Sequence, residues 1–287
     1  VTRTISITGD DFGFSREVNR AIVRAYDRGV LTRASLMVNG QAAAEAVEMA
    51  LTRPGFPVGL HLAVADGRAT LSPSRIPHLV DSSGWFRRRP FRMGLAYQFS
   101  RAARGELRSE IRAQLERFTD TGLALSHVDG HHHMQVHPVV LGILIELAGE
   151  FSIPAIRLPA EELGVSLFLD PVGAAGKMVL GLGFGLLRRW GERRLRGTPI
   201  RVSKRVYGLL ASGRITESYL LGLIPRIVED DVELYCHPAT ELPGERFHGP
   251  PDNGPVELAA LLSGRVRAAI DRSGLVLLKP EREEVAR

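Results

Sequence analysis

The chain has 287 residues, room for one large α/β domain or two small ones, and 44% of them are hydrophobic, which supplies a substantial core. Thirty-seven basic against 32 acidic residues give a net charge of +5; this mild excess suits an anionic surface, but without an aromatic-studded basic motif it predicts no nucleic-acid partner. The single cysteine, Cys236, excludes an internal disulfide and fits a reducing compartment.

A β-branched run at residues 4–8 predicts a buried first strand, followed by Gly9 and two adjacent carboxylates, Asp10 and Asp11. No charged-then-apolar leader precedes it, so the expectation is a cytoplasmic protein, with peripheral contact at the inner membrane face as an extension of that reading. A helix follows over 16–29, with Val18, Ala21, Ile22 and Ala25 on one face. The strand at 34–38 ends in Asn39, which either caps the next turn or lines a site. A helix at 41–52 stops at Pro54, and the strand at 58–64 contains His61. A helix over 106–119 leads to a strand at 124–128 that runs into "DGHHHMQVHP". Then come a helix at 139–151, a strand at 155–158 holding Arg157, a helix at 218–228, a strand at 232–236 followed by His237, a helix at 257–272 and a last strand at 275–278.

This βα alternation predicts a parallel sheet with helices outside it. Polar residues gather at the C-terminal ends of five or six strands, which favours a TIM-like (β/α) barrel over an open sheet with one switch point. The whole chain, 1–287, reads as one catalytic domain. Two long insertions, 66–104 around "GWFRRRPFRMG" and 160–199 with "KMVLGLGFGLLRRWGERRLRG", are expected over the C-terminal face as lids or binding loops. The apolar run 178–187 is too short to span a bilayer.

Five of the nine histidines (His127, His131, His132, His133 and His137) fall within eleven residues at a strand end beside Asp129, a pattern that points to metal binding. His61 sits in the apolar "VGLHLAV", where an unpartnered imidazole is costly and a metal would explain it. Asp11, His61 and one histidine of the cluster would make a two-histidine, one-carboxylate site for one divalent ion. Its softness suits zinc. The second acid, Asp10, is then the general base, and His237 the general acid for a leaving amine. Cys236, beside His237, reads as core. "DDFG" lacks every other part of a kinase signature.

These stretches carry a resemblance. "GDDFGFSREVNRAI", "LTRASLMVNGQAA", "VGLHL", "SHVDGHHHMQVHP", "AIRLP" and "LYCHPAT" resemble, in order, the YdjC-like carbohydrate deacetylases, a family that includes chitooligosaccharide deacetylase. "YGLLASGRITESYLLGLI" and "GVLTRASLMVNGQAAAEAV" are similar to the subgroup associated with hopanoid biosynthesis. The resemblance implies a distorted, polysaccharide-deacetylase-like barrel and metal-dependent removal of an N-acetyl group from an amino sugar, with N-acetylglucosamine on a hopanoid lipid as substrate. Alternatives are a chitooligosaccharide substrate, another mononuclear metal hydrolase, or a sugar- or lipid-binding protein. It maps the ligands to Asp11, His61 and His131, admits magnesium as well as zinc, and adds His133 and Arg157 to the site. Gly130 departs from the serine usual after the aspartate in the chitooligosaccharide enzymes, and is expected to make the backbone more permissive there. Trp85 is a candidate for stacking on sugar or meeting lipid headgroups; 178–187 is a candidate lipid-facing lid or homodimer segment. The roles of His127, His132 and His137 are left open.

Overall fold

The first strand, β1 (Arg3–Phe12), is longer than the β-branched run alone predicts and carries both acids inside it. The computed structural model describes residues 2–86, 89–241 and 253–279; Arg87 and Arg88 of the arginine-rich stretch lie outside the described residues. β1 is the centre of a parallel sheet. On one side it pairs with β6 (Asp231–Cys236), in register from Thr4↔Asp231 to Gly9↔Cys236. On the other, β7 (Leu275–Leu277) takes its first residues and β2 (Arg33–Leu36) its last. β3 (Val58–Leu62) and β4 (Leu125–Gly130) extend the sheet beyond β2, and β5 (Arg205–Tyr207) beyond β6, giving the order β4-β3-β2-β1-β6-β5.

The sheet curls into a half-barrel. Isolated bridges, Val128↔Ile156, Ala155↔Arg201 and Ala160↔Val206, connect its two ends. The strand predicted at 155–158 is therefore irregular chain held by single bridges. β2 and β3 are buried almost throughout, as expected for parallel strands covered on both faces. One apolar cluster runs from Ile5 to Leu275, and a smaller one joins Val206, Leu209, Leu210 and Tyr235.

The helices pack outside. In α1 (Arg16–Arg28) the Ser15 hydroxyl accepts the Val18 N–H, and Val18, Ala21, Ile22 and Ala25 face inward as predicted. α2 (Ala43–Leu51) follows β2. The 66–104 segment contains α3 (Pro90–Phe99), then the start of α4 (Arg101–Thr119), which begins five residues before the predicted 106 because Ser100 caps it. α5 (Pro138–Leu147) starts where the His137 Nδ1 accepts the Val139 N–H at 3.3 Å, which assigns His137 a capping role. The 160–199 segment holds α6 (Leu163–Leu169) and the 22-residue α7 (Ala174–Leu195). After α8 (Glu217–Leu223), the helix predicted over 257–272 is two: α9 (Gly254–Leu262) and α10 (Gly264–Arg272). Ser263 between them is extended, and its hydroxyl caps the Arg265 and Val266 N–H groups. No helix among the described residues is long and apolar enough to cross a membrane.

Candidate active site

Strand alternation predicts that Asp10 and Asp11 point to opposite faces. They converge instead. Asp11 has φ +61°, in the left-handed region, and the β1–β2 register shifts between Gly9 and Phe12. This bulge turns the Asp11 carboxylate towards His61 and His131, while Asp10 remains beside His61 at the strand end. His132 and His133, in the 3₁₀ turn His131–Val136, and Asp66 also have positive φ. Left-handed non-glycine backbone thus concentrates around one point, as strain at functional sites commonly does.

The donor atoms of Asp11, His61 and His131 all lie within 4.8 Å of one another and are buried. The Asp129 carboxylate can only accept, so the His61 Nδ1–H donates to it at 2.8 Å. That leaves the His61 Nε2 lone pair facing Asp11 Oδ1 at 3.2 Å. His131 Nδ1 meets the same oxygen at 3.1 Å, and its Nε2 is buried without a partner among the described residues. Electron-pair donors aimed at one another need a cation or a proton between them. Burial alone would lower the His61 imidazole, but the Asp129 charge and the bonds to Asp11 and Asp129 lift it to about 10 when no cation is there. Asp66, His131 and His132 make another, more exposed donor group, with His132 Nε2 at 3.3 Å from Asp66.

Charge balance points the same way. Asp10, Asp11, Asp129 and Glu233 are all buried in this cluster, and, with the imidazoles neutral as ligands would be, Arg157 and Arg33 are the cations paired with them among the described residues. Two negative charges remain, matching one divalent cation. Arg157 is the hub: Nη1 and Nη2 donate to the two Asp10 oxygens at 2.6 and 2.8 Å, Nη2 reaches Asp129 at 2.6 Å, and Nε donates to Glu233 at 2.8 Å. Its guanidinium lies over the Tyr235 ring, 4.7 Å from the centroid. Despite burial, the surrounding charges hold Arg157 well above its ordinary range; Asp11 and Asp129 stay well below theirs because imidazole and guanidinium partners outweigh desolvation.

The shell behind is equally specific. The Ser35 hydroxyl donates to Asp129 at 2.6 Å, so His127 Nε2–H, 2.9 Å away, donates to Ser35. The His127 ring occupies the space a Gly59 side chain would need, since a Cβ there would sit 2.4 Å from the imidazole. His127 thus supports Asp129 from behind. Gly130 is extended, at φ −169° and ψ 149°, a conformation open to any residue. The expectation of a more permissive backbone is therefore corrected: the glycine answers close packing, with the Leu62 carbonyl and Gln135 each 3.0 Å from where a Cβ would be.

Above this floor opens a cavity of about 470 Å³, lined by Asp10, His61, His131, His132, His133 and His237, with Pro90, Leu180, Phe184 and Leu209 among its walls. His237 follows β6; its backbone N–H donates to the buried Glu257 at 2.6 Å, and its Nδ1 is buried without a partner among the described residues. His133 Nε2 bonds the Tyr235 hydroxyl at 2.7 Å, and Phe184 packs edge-on against its ring. Burial, then the Arg157 and His237 charges, keeps His133 neutral. The fold brings Asp10, Asp11, His61, His131, His133, Arg157 and His237 together. Asn39 and Trp85 are not among the residues lining this cavity: Asn39 bonds Thr70 and the Arg68 carbonyl, and Trp85 bridges to Arg68, whose guanidinium lies 5.7 Å from its ring. Sequence reading missed Ser35, Glu233, Tyr235 and Glu257. Glu233 gave a signal, an acid inside the apolar strand "VELYC", like His61 in its own strand.

Comparison with known proteins places the chain in a family. The chain is 41% identical over 153 residues to a carbohydrate deacetylase of Brevibacillus brevis, covering 53% of this chain and 58% of that protein. It is 33% identical over 246 residues to a carbohydrate deacetylase of Mus musculus, covering 81% and 76%. The chain thus spans somewhat under two thirds of the Brevibacillus relative and over two thirds of the mouse one. A crystal structure from Enterococcus faecalis, of a protein provisionally described as acting in cellobiose-phosphate cleavage, superposes with a TM-score of 0.72 at 22% identity over 97% of this chain and 98% of that one, a likeness of fold. The YdjC-like protein family profile matches residues 4–272, and the chain belongs to that family.

Proposed function

We propose that the cavity hydrolyses the N-acetyl group of an amino sugar, releasing acetate and a free amine. The observation that carries this reading is the buried Asp11–His61–His131 donor set at the cavity floor with the Arg157-held Asp10 carboxylate beside it. The names of the relatives, carbohydrate deacetylases, support the substrate class. A divalent ion, zinc or magnesium, held by Asp11, His61 and His131, would supply polarisation of the acetyl carbonyl and a more acidic water.

The chain's own groups do the rest. Arg157 fixes both Asp10 oxygens, so the carboxylate is oriented before substrate arrives. Asp10 accepts the proton of the attacking water. His237, across the cavity, gives a proton to the amide nitrogen as the C–N bond breaks, so the amine leaves neutral. Asp129 holds His61 in the tautomer that leaves Nε2 free. Neutral His133 and the Phe184 ring offer a surface for the sugar.

The finer reading is that the sugar is N-acetylglucosamine on a hopanoid lipid, handled in the cytoplasm or at the inner membrane face, with a chitooligosaccharide as the alternative substrate. The segments 66–104 and 160–199 act as lids; Pro90 from one and Leu180 and Phe184 from the other in the cavity wall support that role. The test is acetate release from N-acetylglucosaminyl lipid and from free chitooligosaccharide, with metals supplied singly to metal-free protein. Release that requires metal, with the lipid preferred, is expected; no release from either substrate with any metal refutes the proposal.

A further inference from the structure

We infer that the outward faces of α3 and α7 form a docking surface for an anionic lipid bilayer, placing the cavity mouth at the membrane. The inference rests on reading that cavity as a site for an amphiphilic substrate. Large apolar side chains normally stand exposed singly. Here they cluster. Of the fifteen such side chains exposed among the described residues, ten lie on α3 and in the 168–186 segment.

On α3, Phe91, Leu95 and Phe99 follow the four-residue helical spacing, and Phe91 and Phe99 are 79% and 78% exposed. The opposite face packs inward through Met93 and Tyr97, whose hydroxyl donates to the Val64 carbonyl. On α7, Val179 is 75% exposed, and Leu182 and Leu186 are each 67% exposed, along one outward stripe. Continued by helical spacing, that stripe reaches Arg189 and Arg193. Both are exposed, as are Arg194 and Arg196, and none of the four forms an ion pair among the described residues. The one acid of α7, Glu192, is committed to Arg188 at 2.7 Å.

An apolar sector running into unpaired arginines suits a bilayer surface: hydrocarbon enters the acyl boundary and guanidinium groups meet anionic headgroups. A second copy of the chain would cover the leucines, but α3 and α7 offer no free acid to answer the arginines. Position supports the membrane reading too. Pro90 of α3 and Leu180 and Phe184 of α7 line the catalytic cavity, so both helices show one face to the site and another to the outside. A substrate with its tail in the bilayer would meet the cavity between them.

The test uses metal-loaded full-length protein, co-sedimented with phosphatidylglycerol-containing vesicles or with pure phosphatidylcholine vesicles. Binding to the anionic vesicles is expected, falling with salt. Two triple variants, Phe91→Ser with Leu95→Ser and Phe99→Ser, and Val179→Ser with Leu182→Ser and Leu186→Ser, should each lower partitioning on the order of 10²-fold. Arg189→Glu with Arg193→Glu should abolish the preference for anionic vesicles. All three variants should keep wild-type turnover of a short water-soluble N-acetylamino sugar, which also reports that they fold. Absence of vesicle binding by the wild type, or wild-type binding by both triple variants, overturns the inference. So does a dimer that the apolar substitutions convert to monomers while no vesicle binding is seen. Vesicle binding without acetate release from either the lipid-linked or a soluble substrate would refute the hydrolase reading and leave the docking surface standing.

Discussion

Glu233→Gln keeps the size of a buried side chain and removes one charge from the Arg157 cluster. Glu233 accepts the Thr8 hydroxyl and the Arg157 Nε–H, each at 2.8 Å, and faces an Arg33 nitrogen at 2.9 Å. Burial alone would raise its carboxyl; the Arg157 and Arg33 charges more than reverse this and bring it from 4.5 to about 2. The ionised form is therefore favoured in the folded protein by about 3 kcal/mol. The folded value is depressed, so this stabilisation is complete above the unfolded value, near 4.5. It shrinks by about 1.4 kcal/mol per unit as pH falls below that, and is gone near 2. Chemical denaturation of wild type and variant at a series of pH values measures it. A difference of roughly 3 kcal/mol is expected at pH 7, closing as the solution is acidified below 4.5. The variant also frees one side of Arg157 and with it Asp10, so turnover should fall about tenfold with little change in KM. A stability difference that is absent at neutral pH, or that does not vary with acid, refutes the account of the cluster.

His61→Ala and His131→Ala should each remove bound divalent metal together with activity, read by elemental analysis of dialysed protein; unchanged metal content in both would dismiss the ligand assignment. Asp10→Asn should retain most metal and lose acetate release by roughly 10² to 10⁴-fold, and His237→Ala should likewise lower turnover more than metal content; near-normal rates in either variant sink that residue's role. Gly59→Ala puts a methyl 2.4 Å from the His127 ring, so it should cost about 1–3 kcal/mol of stability and lower activity by displacing the support behind Asp129. A thermal melt and a turnover assay matching wild type would show that His127 yields freely.

The strands were legible where apolar runs were long enough to show their burial, as at β1, β3, β4 and β6. β5 has three residues, too few for any period, and the 155–158 segment has strand-like composition but only single bridges to hold it. The α9–α10 break turns on Ser263, which caps α10; its only signal in the sequence is the following Gly264, which the apolar spacing on either side masks. Histidine clustering and the paired acids pointed to residues that the fold gathers at one cavity. The bulge at Asp11 could not be read, because alternation along a strand predicts the opposite outcome. The outward face of α7 was hidden for another reason: a run that is apolar all round has no periodicity to tell covered from exposed sides.

Arg157 meets acids from three strands, Asp10 on β1, Asp129 on β4 and Glu233 on β6. The same knot therefore fastens the barrel wall and fixes the Asp10 carboxylate. Removing any one acid leaves buried charge uncompensated, so these positions are constrained by folding even where catalysis has been lost. The imidazoles are under no such double constraint: a descendant without hydrolytic function could exchange His131 or His237 and still fold. Among relatives, an intact Arg157 knot is then a poor indicator of a working enzyme. Joint retention of His61, His131 and His237 is the better one, and a genome survey of the family should sort its active and inactive members by those three positions.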